Sequence, residues 1–500
     1  MTNRRKFLKT LGIATASLAS LPVLGEMSKS APKMKPSGNS SPFAPTASGY
    51  IAGGPFVSKR PDVGKRRFVS KAVEETIADV KKVMADEELA WMFENCFPNT
   101  LDTTVTYSEK NGTPYTYVIT GDIDAMWLRD SSAQVWPYLA LAKKDEELKK
   151  LLRGVVNKHS EFVLLDPYAN AFYNDPATKS EWEHDQTTMR AGVHERKWEI
   201  DSLCYVIRLA HGYWKNTGDL SAFDSRWQDA MKLIVKTFRE QQRLTNSGPY
   251  HFQRQAQNPT DSQFGAGFGN PTKKIGLIHS MFRPSDDSTI FPFLVSSNMF
   301  AVVSLRNLAE IFGALNNAEM ASECKKFADE VDQVLKQYGI AQHPTAGKIY
   351  PLEIDGFGNA LFMDDANVPN LLSLPYLGYC KSDDKLYLDT RKFSLSHTNP
   401  WFHEGKFAKG IGGPHVGENK IWPMGLVMQA LTSNDDKEIL YCLTTLKKTH
   451  AGTGFIHESF HVDNPSDFSR SWFAWANTIF GELILHLYNE KPALLKVKLD

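Results

Sequence analysis

The chain has 500 residues with 57 basic and 57 acidic side chains, so its formal net charge is zero and it offers no electrostatic footprint for nucleic acid or an anionic membrane surface. An apolar share of 42% supports a sizeable core. Five widely spaced cysteines, Cys96, Cys204, Cys324, Cys380 and Cys442, contain no CxxC pair and cannot pair completely, so buried free thiols are expected.

The first residues carry an address. Asn3-Arg4-Arg5-Lys6-Phe7-Leu8-Lys9 is a twin-arginine pattern followed by a weakly apolar run over 11–24, too short for a membrane span. It reads as a bacterial Tat-type signal peptide over residues 1–25, placing the mature protein outside the cytoplasm, in the periplasm or cell envelope. Residues 26–61 are rich in Ser, Pro, Gly and Lys and read as a flexible leader. No other stretch is apolar enough to span a bilayer.

Residues 62–500 read as one domain. Apolar spacing of three and four predicts twelve helices, starting near Phe68, Asp130, Glu146, Arg196, Ser221, Ser296, Asn317, Asn367, Asp383, Lys420, Asn434 and Arg470. The gaps alternate. Long ones contain Gly, Pro and short strand-like runs such as 116–120, whereas the short ones join antiparallel helix hairpins. Six hairpins in series with every long connection on one side predict an all-α (α/α)6 toroid whose loops gather above the starts of the even-numbered helices. No sequence repeat of fixed period supports a solenoid instead.

Those loops hold the chemistry. They contain Gly121-Asp122-Ile123-Asp124-Ala125-Met126-Trp127-Leu128-Arg129-Asp130, Glu195-Arg196-Lys197-Trp198-Glu199-Ile200-Asp201, Phe282-Arg283-Pro284-Ser285-Asp286-Asp287, Met363-Asp364-Asp365-Ala366-Asn367, Gly412-Gly413-Pro414-His415 with Trp422 after it, and His457-Glu458-Ser459-Phe460-His461. Any one acidic residue before a helix reads equally well as an N-cap. All six on one rim predict a polar, aromatic-lined pocket. Such a pocket suits carbohydrate, because carboxylates and Arg bind hydroxyls in pairs while Trp faces pack on sugar C–H surfaces.

The runs 120–134, 196–205, 282–287 with 292–303, 363–379 and 457–463 together resemble glycoside hydrolase family 125, the exo-acting α-1,6-mannosidases of bacteria and fungi. The resemblance extends from Trp91 to the C-terminus. It implies an (α/α)6 fold, metal-independent hydrolysis with inversion, no cofactor, and a pocket for one non-reducing mannose of an α-mannose-containing oligosaccharide or N-glycan. By position, Asp286 matches the general acid and Glu458 the general base. Trp127, Arg129, Asp130, Arg283, Asp287, Asp364, Asp365, His415, Trp422 and His457 are the expected substrate-binding residues. One departure is His279, which stands where Trp is expected and bears on the aglycone side.

The residues fit those roles. Inversion needs one protonated carboxyl for the leaving oxygen and one carboxylate to activate water. Adjacent Asp286 and Asp287 repel, which is expected to raise one of their pKa values. His457 and Ser459 flank Glu458 and are expected to orient it. The same run is also a literal H-E-x-x-H, the zincin motif, with Glu482 downstream as a third ligand. That motif works only on a helix, and Gly452, Gly454 and Pro465 argue against one here.

Overall fold

Two kinds of helix start divide the fold into two rings. In the computed structural model, which describes residues 56–500, seven helices are capped by the side chain that precedes them: α1 (Lys71–Val83), α2 (Glu87–Cys96), α5 (Glu146–Leu165), α7 (Ser225–Gln241), α9 (Ala318–Tyr338), α10 (Lys385–Ser394) and α12 (Asp436–Thr449). The caps are Ser70, Asp86, Asp145, Asp224, Asn317, Asp384 and Asp435, each accepting from a backbone N–H of the first turn. α3 is a single short turn, Asn99–Thr103.

Five further helices have no side-chain cap among the described residues: α4 (Leu128–Val135), α6 (Ile200–Thr217), α8 (Val295–Ala314), α11 (Pro423–Leu431) and α13 (Ala474–Glu490). Their leading N–H groups are met by other loops instead. Leu128 donates to Asn170 O, Val295 to Leu352 O and Ala474 to Thr120 O, and Ile200 donates to Ser280 Oγ. The acidic side chains at these starts are therefore not spent on capping.

The uncapped helices form the inner ring. α13 packs on α4, α4 on α6, α6 on α8, and α11 on α13. The capped α5, α7, α9 and α12 lie outside, with α9 against α8 and α12 against α11. This is the (α/α)6 toroid that the alternating gaps predicted. Inner helices are buried almost all round, with Leu203, Phe300 and Phe480 at 1% exposure or less; each such side chain contributes roughly 1.5–3 kcal/mol relative to exposure.

The structure corrects several boundaries. The helix expected from Phe68 is three pieces, broken where Asp86 caps anew and at Pro98. After α4 the chain tightens into a 3-10 segment at Trp136–Lys144, because Pro137 has no N–H to donate. The turn after Gly218 is longer than expected, since Asp224 starts α7. No helix forms at Asn367. Pro369 and Pro375 interrupt the run, and Asn370 and Ser373 bond each other in its place. This irregular segment, 366–380, still takes the inner-ring place between α8 and α11, with Val368 O accepting from Tyr205 and Pro369 O from Ser296.

Short antiparallel sheets stiffen the loop face. Val105–Lys110 pairs with Thr113–Val118, close to the expected strand. Met126–Trp127, Phe293–Leu294 and Lys420–Ile421 each belong to a three-stranded sheet and run straight into an inner helix. Ser459–His461 is itself a strand, so His457 and His461 do not lie one turn apart on a helix as the zincin motif requires. The cysteines form no disulfide, and all but the half-buried Cys380 are buried.

The expected signal peptide lies outside the described residues, as does the leader up to residue 55. Its last residues are anchored: Trp91 Nε1 donates to Val57 O at 2.7 Å, and the Arg60 guanidinium binds Asp102 at 2.7 Å and Glu74. Among the described residues, no helix is long and apolar enough to cross a membrane.

Candidate active site

Above the inner helix starts the loops enclose a cavity of about 360 Å³, at the small end of the roughly 300–1,000 Å³ range of ligand pockets. Seven of the sequence-predicted residues meet there: Trp127, Arg129, Asp130, Asp286, His415, Trp422 and Glu458. Beside them stand residues to which the sequence assigned no role, notably Trp182, Glu195, Lys197, Arg254, Arg470 and Trp475.

Asp286 sits at the tip of a tight turn. Its N–H donates to Arg283 O at 2.9 Å, Arg283 N–H donates to Asp287 O at 2.7 Å, and Asp286 has φ of 69°. A non-glycine residue in that left-handed region is uncommon, though Asp tolerates it better than most. Two cations hold it there. Lys197 Nζ donates to the Asp286 main-chain carbonyl at 2.9 Å, and Arg129 Nη2 donates to its carboxylate at 3.1 Å. Arg129 is 3% exposed, and its Nη1 binds Glu199 at 2.6 Å and Asp201 at 3.1 Å.

The electrostatics differ from the expectation for adjacent carboxylates. Burial works against charge on Asp286, but Arg129 and Lys197 outweigh it and hold this carboxyl well below the usual range. Asp287 is lowered too: against burial, His415, Thr260 and Arg283 stabilise its charge. The two side chains diverge from the turn, so neither raises the other enough to matter. The groups pushed up lie deeper. Burial, then Asp286 and Asp201, lift Glu199 well above the ordinary carboxyl range against the pull of Arg129. Burial likewise moves Asp130 and Asp201 to about 6 despite Arg129.

Glu458 enters from the other side of the ring and is 8% exposed. Ser469 Oγ donates to its Oε2 at 2.8 Å, and Arg470 Nη1 lies 3.4 Å from Oε1 while pairing with Asp122. His457 and Ser459 do not hold it directly. Ser459 bonds Ser469 at 2.7 Å, one step removed. His457 points away, stacked on Phe468 at 3.7 Å with Nε2 near Thr453 Oγ1, and burial lowers it to about 4. His415 faces both catalytic candidates. Burial opposes its charge, yet Asp287, Glu458 and Asp286 raise it to about 9.

The remaining predicted residues support the rim without lining the cavity. Arg283 Nε donates to Glu353 at 2.6 Å and braces the Asp286 turn. Asp287 lies behind His415, 3.7 Å from its Nδ1. Asp364 accepts from the backbone N–H groups of Asp365, Leu371 and Leu372. Asp365 accepts from Asn367. His279, expected on the aglycone side, is 3% exposed, with its ring bonded to Thr272 Oγ1 and Gln241 O, both at 2.7 Å.

The run from Glu195 to Asp201 announced Lys197 and Glu199, although neither had a role assigned. Trp182 and Arg254 gave no signal, because no helix starts after them. The Arg254 guanidinium lies 3.7 Å over the Trp182 ring and is fixed by Asp185 and Glu195.

A helical toroid whose loop face gathers carboxylates, guanidinium groups and indole rings into one pocket defines a glycoside hydrolase. The comparisons name the kind. The family model of metal-independent α-mannosidases, glycoside hydrolase family 125, matches residues 86–485. The chain is 43% identical over 469 residues to the meiotically up-regulated gene 157 protein of Schizosaccharomyces pombe, covering 89% of this chain and 92% of that one. It is 42% identical to a metal-independent α-mannosidase of Streptococcus pneumoniae solved in a non-productive complex with α-1,6-mannobiose, with a TM-score of 0.82 over 85% of this chain and 100% of that one. A glycosidase only 11% identical, with a TM-score of 0.50, shares the fold alone. The chain belongs to glycoside hydrolase family 125 and is an α-mannosidase.

Proposed function

We propose that this α-mannosidase is exo-acting and inverting, removes terminal mannose from α-1,6-linked oligosaccharides or N-glycans, and uses Asp286 as general acid and Glu458 as general base. The observation that carries the reading is that these two carboxylates line one cavity from separate loops, each with its own donors. In an inverting site one such carboxyl protonates the leaving oxygen while the other activates a water at the opposite face. The small cavity suits a chain end, and Trp127, Trp422 and Trp475 offer ring faces and edges to a sugar. The streptococcal neighbour was solved with α-1,6-mannobiose, which supports the linkage. The twin-arginine pattern supports export, with residues 1–25 as the signal and the catalytic domain following the leader.

The test is digestion of α-1,2-, α-1,3-, α-1,4- and α-1,6-mannobiose with NMR of the first-formed sugar. Preferred cleavage of the α-1,6 isomer with β-mannose appearing first is expected. First appearance of α-mannose, or preference for another linkage, would overturn the reading.

A further inference from the structure

One buried carboxyl at the site has no role in two-carboxylate hydrolysis. Glu199 is fully buried. One arm of the Arg129 fork takes Glu199 at 2.6 Å and the other takes Asp286 at 3.1 Å, so the same guanidinium holds both acids side by side. Ser202 Oγ donates to Glu199 Oε2 at 2.9 Å, while Oε1 has no hydrogen-bond partner among the described residues. The two nitrogens of that fork sit on one carbon, so the carboxyls they hold are close neighbours, and two carboxyls can share a hydrogen bond only if one carries a proton. A buried carboxylate with an unsatisfied oxygen is costly, and protonation removes that cost.

We propose that Glu199 is a positioning residue that stores the proton Asp286 delivers to the leaving oxygen. The inference rests on the reading of Asp286 as general acid. In the free enzyme the proton sits on Glu199 and is donated to the Asp286 carboxylate, which two cations keep ionised. When the sugar binds, the Glu199 O–H bond breaks as an Asp286 O–H bond forms. That bond then breaks as the proton moves to the glycosidic oxygen, which leaves with the electron pair of the C–O bond. Arg129 balances the carboxylate left on Glu199. The proton removed from the attacking water ends on Glu458 and returns to solvent, from which Glu199 is recharged. The pair thus titrates as a unit, and the opposed shifts of Glu199 upward and Asp286 downward agree with one proton held between them. Its charged surroundings are Arg129 and Asp130 on α4, Asp201 on α6, Lys197 and Glu195 on the preceding loop, and His415 across the cavity.

Glu199→Gln keeps the shape and a donor to Asp286 but carries no acidic proton. On α-1,6-mannobiose, whose leaving alkoxide needs protonation, kcat is expected to fall on the order of 10²-fold. On 2,4-dinitrophenyl α-mannoside, which departs unaided, it should fall less than about threefold, with KM little changed on both. The basic limb of kcat/KM on mannobiose should also move to lower pH, because Asp286 alone beside Arg129 and Lys197 loses its proton early. Equal losses on both substrates, or no loss on mannobiose, would overturn the proposal. If Glu199→Gln gives no cooperative melt, Glu199→Asp, which withdraws the carboxyl by one methylene, supplies the same ratio. Absence of the leaving-group contrast in Asp286→Asn as well would sink the reading of Asp286 as general acid, whereas a contrast present in Asp286→Asn and absent in Glu199→Gln sinks only this inference.

Discussion

Lys197 reaches 2.9 Å from the main-chain carbonyl of Asp286, not to its carboxylate. The ammonium thereby fixes the backbone of a residue at φ of 69° and leaves its side chain aimed at the cavity. Lys197→Met keeps the stem and removes that bond. Misplacing the carboxyl by an ångström or so is expected to lower kcat roughly 10- to 10²-fold, read in steady-state kinetics on α-1,6-mannobiose. Wild-type kcat in this variant would show that the turn holds itself.

The two carboxylates proposed as acid and base should fail differently. Asp286→Asn loses the proton donor, so mannobiose suffers while dinitrophenyl mannoside is spared. Glu458→Gln loses the base, so every substrate suffers, by about 10² to 10⁴ in rate, and azide restores some turnover by attacking from the vacated face. The measurement is kcat/KM on both substrates with and without azide. A covalent mannosyl adduct on either residue by mass spectrometry would contradict the roles.

His415 carries its charge between Asp287, Glu458 and Asp286. A folded-state value raised from 6.5 to about 9 contributes stability that is fully present below 6.5 and lost as pH rises through about 9. The melting temperature of His415→Gln should therefore fall short of wild type most below pH 6.5, with the gap closing towards about pH 10. A gap independent of pH would mean that the ring matters only for packing.

Chelation should leave activity intact, since both proposed steps use carboxylates. Loss of activity on EDTA treatment with recovery on added zinc would speak for the zincin reading.

Replacing Arg4 and Arg5 by Lys should hold the precursor in the cytoplasm, because the twin-arginine pathway reads the guanidinium pair and not charge alone. Fractionation with an antibody to the catalytic domain measures it, and undiminished export would remove the assignment.

The sequence by itself determined the toroid and the rim. Apolar spacing and the alternation of gaps are local, and the helices expected near Glu146 and Asn317 start where Asp145 and Asn317 cap them. The long runs before Arg129, Asp286 and Glu458 pointed to one face because helix hairpins put every long loop on the same side. Only tertiary structure decided which of those residues share the cavity. Asp286 and Asp287 are neighbours in the chain, yet the left-handed turn at Asp286 sends one to Arg129 and the other to His415. Glu458 lies between His457 and Ser459 in sequence but takes its donors from Ser469 and Arg470, because strand pairing brings Ser469 opposite Ser459, beside the bend that carries Glu458. The charge state of Asp286 is likewise decided by contacts distant in sequence. Arg129, Lys197 and Glu199 come from other segments, and a carboxyl's affinity for its proton depends on which charges burial places beside it, a distance in space that spacing along the chain does not encode.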